Sequence, residues 1–202
     1  MHILRRSHGL WLAMLAVLVL PAPATAAEPL SACPPRPLSQ PFLPWSDSAW
    51  YVLAPDGGLE EGGTAWSLRG GAKLVEGNEP YFVRNPGDAW SLKLPAGSSA
   101  ATGATCVDAM DPTLRFFARN TGAAAAVLRV SAGFFDSTGA FRLLTIGAIT
   151  ADQHWAPTPL VPVITNTFAV LGSHPVWFVL TPEDDRGNWW IDDVYVDPYG
   201  KG

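Results

Sequence analysis

Long apolar runs are nearly absent from this 202-residue sequence. The one uncharged stretch of note, residues 10–20, falls short of the roughly 20 residues that a membrane-spanning helix needs, and no later run is longer. It follows Arg5 and Arg6 and leads into small residues, with Ala24-Thr25-Ala26 offering the pattern a signal peptidase cuts after. Residues 1–26 therefore read as a secretory signal peptide, and the expected location is outside the cytoplasm: secreted, extracellular or in the cell envelope. No transmembrane segment is expected after cleavage.

Positive charge is scarce as well. Beyond residue 26, eleven basic residues face eighteen acidic ones, a net charge of −7, and the basic residues are spaced singly. A nucleic-acid partner, which calls for a basic excess or a dense basic patch, is excluded on this ground. Only two cysteines occur, Cys33 and Cys106, and neither has a second Cys or His nearby to complete a zinc site. In an exported chain two such cysteines are expected to form a disulfide. Histidine is reduced to His154 and His174 beyond the leader, and neither G-x-S-x-G nor H-E-x-x-H is found. Asp108 with Asp111, and the run Glu183-Asp184-Asp185, supply paired carboxylates of the type that cut glycosidic bonds. They fall in turns, where charge is normally solvated, so the chain is expected not to be an enzyme. Helical periodicity is missing too: residues 123–126 are four alanines, but Gly122 precedes them and strand spacing follows.

Proline and two-residue alternation are plentiful. Prolines 29, 34, 35, 37, 41 and 44 mark residues 27–48 as an extended lead-in, fastened by Cys33. From residue 49 to 202 one domain is expected, with strands over 50–54, 64–68, 72–75, 81–84, 89–94, 102–107, 113–120, 125–135, 141–150, 161–170, 176–181 and 189–196, separated by turns rich in Gly, Asn, Asp and Pro. Alternation sets Leu114, Phe116 and Ala118 against Arg115, Phe117 and Arg119, and Leu128, Val130, Ala132 and Phe134 against Arg129, Ser131, Gly133 and Phe135. The fold class is all-β, a two-sheet antiparallel β-sandwich.

One stretch resists this pattern. In NWWIDDVYVDP, residues 188–198, Asp192 and Asp193 interrupt an otherwise aromatic and β-branched strand. A carboxylate withdrawn from water needs a cation, an ion pair or several hydrogen bonds. Alternation puts Asp192 on the face of Trp190, Val194 and Val196, and Asp193 on that of Ile191 and Tyr195; both faces hold apolar neighbours, so it does not choose between them.

The stretches GGLEEGGTAWSLRGGAKLV (residues 57–75) and WWIDDVYVDP (residues 189–198) resemble the paired opening and closing segments of galactose-binding-like β-jelly-roll domains, particularly the carbohydrate-binding modules of xylanases and cellulases. GFFDSTGAF looks like their hairpin and HWAPTPLVPV like the strand that follows. The family's common Asn-Gly ahead of the early glutamate reads Asp56-Gly57-Gly58-Leu59 here. The resemblance implies a jelly roll with a structural calcium where the first and last strands meet, held by Glu60 and Asp192, with Asp193 as the substitute. The alternative is that one aspartate pairs with an arginine, such as Arg69 or Arg186, and the other is solvated.

Binding to a polysaccharide or cell-surface glycan is the expected function, through residues on the outward face of central strands: Trp177, Arg115, Phe117, Arg119, Arg129 and Arg142. Aromatic rings stack on sugar C–H faces, and guanidinium groups hold hydroxyls or acidic groups. The other class is a secreted or envelope β-sandwich that binds a protein partner and no glycan.

Overall fold

The computed structural model describes Cys33 and residues 35–107, 113–163 and 174–197. The signal peptide, Asp108, Asp111 and residues 164–170 of one expected strand lie outside these. The described residues form thirteen strands: β1 Val52–Leu53, β2 Ser67–Arg69, β3 Lys73–Glu76, β4 Trp90–Pro95, β5 Ser99–Ala101, β6 Thr105–Val107, β7 Thr113–Asn120, β8 Leu128–Phe135, β9 Phe141–Ile149, β10 Ala156–Pro157, β11 Val161–Pro162, β12 His174–Pro182 and β13 Asn188–Asp197. One 3-10 turn, Leu43–Trp45, precedes them. All the pairings are antiparallel.

Two sheets result. The first runs β10-β7-β13-β4-β3, with β1 also on β13 and β11 on β7; the second runs β2-β5-β12-β8-β9, with β6 also on β12. Between them lies the main core, to which β7 gives Leu114, Phe116 and Ala118, β8 Leu128, Val130, Ala132 and Phe134, and β12 Val176, Phe178 and Leu180. These are the faces that two-residue alternation assigns to the interior. The opening and closing segments are adjacent, as expected, with Val52 opposite Val196 and Leu53 opposite Tyr195.

Three elements depart from the expected strands. Residues 81–84 form a loop, because the buried Glu79 carboxylate accepts the amides of Tyr81 and Val83 and folds the backbone round itself, with Phe82 at φ 50°. β5 is built of Ser and Ala, which carry little strand signal. β10 lies outside the expected strands and, like β11 at the start of the expected 161–170, contains proline, which an edge position accommodates because no partner there needs the missing N–H.

β13 carries the larger correction. Trp189 and Ile191 enter the core, and so do Val194 and Val196, an odd-to-even change that plain alternation forbids. The register against β7 shifts between Asp192 and Tyr195, and Asp193 sits at φ 49°. This β-bulge absorbs one residue. Val194 and Val196 therefore share a face with Ile191, not with Trp190. The paired aspartates mark the bulge, where a short polar side chain tolerates positive φ.

A second cluster covers the outer side of the first sheet. Phe42, Tyr51, Phe117, Trp155 and Tyr195 are buried there, with Trp45, Val83 and Trp190 packed against them. Residues 35–51 supply much of this cover. Ser39 and Tyr51 exchange backbone hydrogen bonds, Phe42 stacks on Phe117 at 5.4 Å, and the Cys33–Cys106 disulfide ties the segment to β6.

Candidate functional site

The six residues expected to bind ligand fall on different surfaces. Arg115, Phe117 and Arg119 project from the outer side of the first sheet, and that side is closed. Phe117 is fully buried. Arg115 donates to Asp47 at 2.6 Å and to the Thr158 carbonyl at 2.8 Å, and lies 4.6 Å over the Phe42 ring. Tyr51 donates to the same Asp47 oxygen, so the three groups latch the lead-in onto β7. Arg119 is held between Trp190 at 4.2 Å and Trp155 at 5.2 Å. Alternation identified the outward face correctly here; what it could not see is that another part of the chain covers it.

Trp177 and Arg129 belong to the outer side of the second sheet, which is open. Arg142 does not join them: it is opposite Phe134, a core residue, and therefore on the other side of β9 from Phe141 and Leu143. On the open face Phe135, Phe141 and Trp177 form a three-ring cluster, with centroids 5.5 Å apart for the two phenylalanines and 5.8 and 6.1 Å from these to Trp177. Phe135 is 49 % exposed, Phe141 53 % and Leu143 58 %. Beneath and beside the rings, Gly133 lies opposite Trp177, and Ser131, itself buried, opposite Val179 and the exposed Thr145. The Phe141 ring rests over Gly133: a Cβ there would stand 2.6 Å from Phe141 Cζ and push the ring aside.

The hairpin between β8 and β9 sets the two phenylalanines. Asp136 accepts the Thr138 and Ala140 amides, the Thr138 hydroxyl and Arg142 Nε, and Gly139 takes φ 78°. These bonds, the Thr138 hydroxyl first, hold the Asp136 carboxyl well below the usual carboxylate range. Phe135 and Phe141 were not among the expected ligand residues. The signal was nonetheless present, since alternation sets Phe135 on the side of Arg129 and the turn reflects it onto Phe141.

The arginines near this face are paired. Arg129 Nη1 is 3.7 Å from Glu183 Oε1, and Arg142 Nε is 2.7 Å from Asp136 Oδ2. Elsewhere, His154 and Asp152 are exposed neighbours 3.6 Å apart, and Glu183, Asp184 and Asp185 follow β12 in an exposed turn.

The residues expected to hold calcium meet at the bulge. Glu60 Oε1 accepts the amides of Ala89 and Trp90 at 2.7 and 2.8 Å. Asp192 is fully buried; its Oδ2 accepts the Glu79 amide and its Oδ1 that of Asp193. Burial, then the neighbouring Asp193 charge, pushes the Asp192 carboxyl up to about 9. Asp193 is 1 % exposed, and neither of its oxygens has a hydrogen-bond partner among the described residues. Burial and then Glu79 push it up to about 7, with Arg84 opposing. The Arg84 Nε is 3.9 Å from Asp193 Oδ1, and its Nη2 bonds Asp88 Oδ1 at 2.7 Å. The arginine at this junction is thus Arg84, not Arg69 or Arg186.

Calcium takes six to eight oxygens at roughly 2.3–2.6 Å. The unpartnered oxygens of Asp193 are of the right kind. Glu60 and Asp192, however, are engaged with backbone amides, and among the described residues no group of three or more His, Cys, Asp or Glu is arranged to hold a metal. As a set, these residues do not fit the ion.

No protein-family model and no curated protein matches the chain. Solved structures do. A xylan-binding domain from CBM22, formerly called x6b, is 17 % identical with a TM-score of 0.51, over 77 % of this chain and 99 % of that one. The CBM22 tandem domain of Paenibacillus barcinonensis Xyn10C is 13 % identical with a TM-score of 0.52, over 76 % of this chain and 46 % of that one. The CBM22-GH10 modules of Clostridium thermocellum Xyn10B, solved with xylohexaose, are 12 % identical with a TM-score of 0.50, over 67 % of this chain and 26 % of that one. At these identities the likeness is one of architecture: the chain has the galactose-binding-like β-sandwich fold of such carbohydrate-binding modules.

Proposed function

We propose that this chain is an exported, non-catalytic binding module that holds a neutral polysaccharide on the outer side of its second sheet, with Phe135, Phe141 and Trp177 as the aromatic contacts. The observation that carries this is the three-ring cluster, with its two phenylalanines about half exposed, on a sheet face that also presents Leu143 and the exposed Thr145. Rings of this kind offer their faces to sugar C–H groups while hydroxyls and amides beside them meet the sugar oxygens. Neutrality of the ligand is supported by the pairing of Arg129 with Glu183 and of Arg142 with Asp136. Export is supported by the Cys33–Cys106 disulfide, which suits an oxidising compartment.

The xylan-binding and xylohexaose-bound fold neighbours make xylan the first polymer to try. The test is affinity electrophoresis in gels containing xylan, mixed-linkage β-glucan, or a polyuronate. Retardation by a neutral polymer, weakened at least about tenfold in Trp177→Ala (~1.4 kcal/mol), supports the proposal. Retardation by the polyuronate alone contradicts the neutral ligand. No retardation by any polymer, with a protein captured through Leu143 and the exposed rings, favours the protein-interaction class instead.

A further inference from the structure

We propose that Arg84 is the resident cation of the strand junction, so that the opening and closing segments of this chain are joined by a guanidinium where calcium would otherwise be called for. Five carboxylates, those of Glu60, Glu79, Asp88, Asp192 and Asp193, gather at this junction. Two of them are met by protein amides alone: Glu60 by Ala89 and Trp90, and Asp192 by Glu79 and Asp193. Glu79 is likewise ringed by amides of its own loop. Asp88 and Asp193 remain, and Arg84 stands between them, bonded to the first and facing the second at 3.9 Å.

The surrounding backbone is shaped for this. The bulge turns Asp193 to φ 49°. Across from it the opening turn is bare, because a Cβ at Gly58 would stand 2.5 Å from Arg84 Nε and 3.1 Å from Asp193 Oδ1. The same turn is sewn to the closing strand by Val194 N to Gly57 O at 3.0 Å and Ala54 N to Val194 O at 2.9 Å. The guanidinium therefore lies where the opening turn, the closing strand and the 84–88 loop meet. The two carboxylates are buried while the arginine keeps 30 % of its side chain in water, so loss of the guanidinium strands buried negative charge that solvent cannot reach.

Thermal melts of the full chain test this, run in millimolar calcium and in chelator. The wild type is expected to melt alike in both. Arg84→Gln is expected to melt several degrees lower, and Arg84→Gln with Asp193→Asn is expected to recover part of that loss, Asp88 remaining unmatched. If Arg84→Gln does not fold, recovery of a folded protein by the double variant carries the same information. A wild-type midpoint raised several degrees by calcium would overturn the proposal, as would an Arg84→Gln melt equal to wild type or a double variant no better than the single one.

Discussion

Phe42 lies in the proline-rich lead-in, a part of the chain that composition alone would treat as linker, yet its ring is fully buried. It stacks on Phe117 at 5.4 Å, meets Tyr51 edge-on at 5.0 Å and Tyr195 at 5.8 Å, and lies under the Arg115 guanidinium. Truncating such a ring removes its transfer free energy and leaves a cavity, together about 3–5 kcal/mol. With a denaturant slope of about 2 kcal/mol/M in urea, Phe42→Ala should lower the unfolding midpoint by roughly 1.5–2.5 M. Leu43, its neighbour, is 53 % exposed and serves as the control. Leu43→Ala should shift stability by no more than about 0.5 kcal/mol. The pair is read by urea titration followed through tryptophan fluorescence. If Phe42→Ala costs less than about 1 kcal/mol, the lead-in is not part of the domain and the outer side of the first sheet is not closed as described.

Stability should fall as pH rises from mildly acidic to mildly alkaline. The folded-state values of Asp192, about 9, and Asp193, about 7, lie above the unfolded value. Between those values the native state holds more protons than the unfolded chain, so the stabilisation is complete below the unfolded value and is lost as pH climbs through the folded ones. Glu79 and Asp88, raised by burial, act with the same sign, and Arg84 opposes them at Asp193 and Asp88. Asp192→Asn should flatten the profile measured by chemical denaturation at several pH values; an unchanged slope would contradict burial as the cause. Reducing the Cys33–Cys106 bridge releases a 73-residue loop, which on chain entropy costs about 4 kcal/mol and should appear as a lower urea midpoint in reductant. Gly133→Ala should displace the Phe141 ring while the fold persists, because the clash is with the far end of a side chain. Glycan retardation would then weaken with little change in unfolding midpoint.

Much of the sandwich was legible because a two-sided sheet imposes period two on its residues, and β7, β8 and β12 obey it from end to end. Where it failed, a local interaction outweighed propensity. Glu79 drew residues 81–84 into a loop by collecting their amides, and the bulge at Asp192 and Asp193 moved Val194 and Val196 into phase with Ile191. A bulge costs one residue and leaves no periodic trace, so only the misplaced aspartates signalled it. The site was harder to read. Strand alternation tells inside from outside, but not which outside is later covered by another segment, and Arg115, Phe117 and Arg119 were covered by residues remote in sequence. Trp177 was found by alternation. Its partners Phe135 and Phe141 needed the hairpin register, and Arg142 fell one residue off the face.

The central claim is that ligand meets the open side of the second sheet and not the aromatic-rich side of the first. Titration of a neutral xylo-oligosaccharide into isotopically labelled protein, followed by amide chemical shifts, tests it most directly. Shifts centred on Ser131, Gly133, Leu143 and Trp177 are expected; shifts centred instead on Arg119, Trp155 and Trp190, with the β8, β9 and β12 amides unmoved, would contradict it.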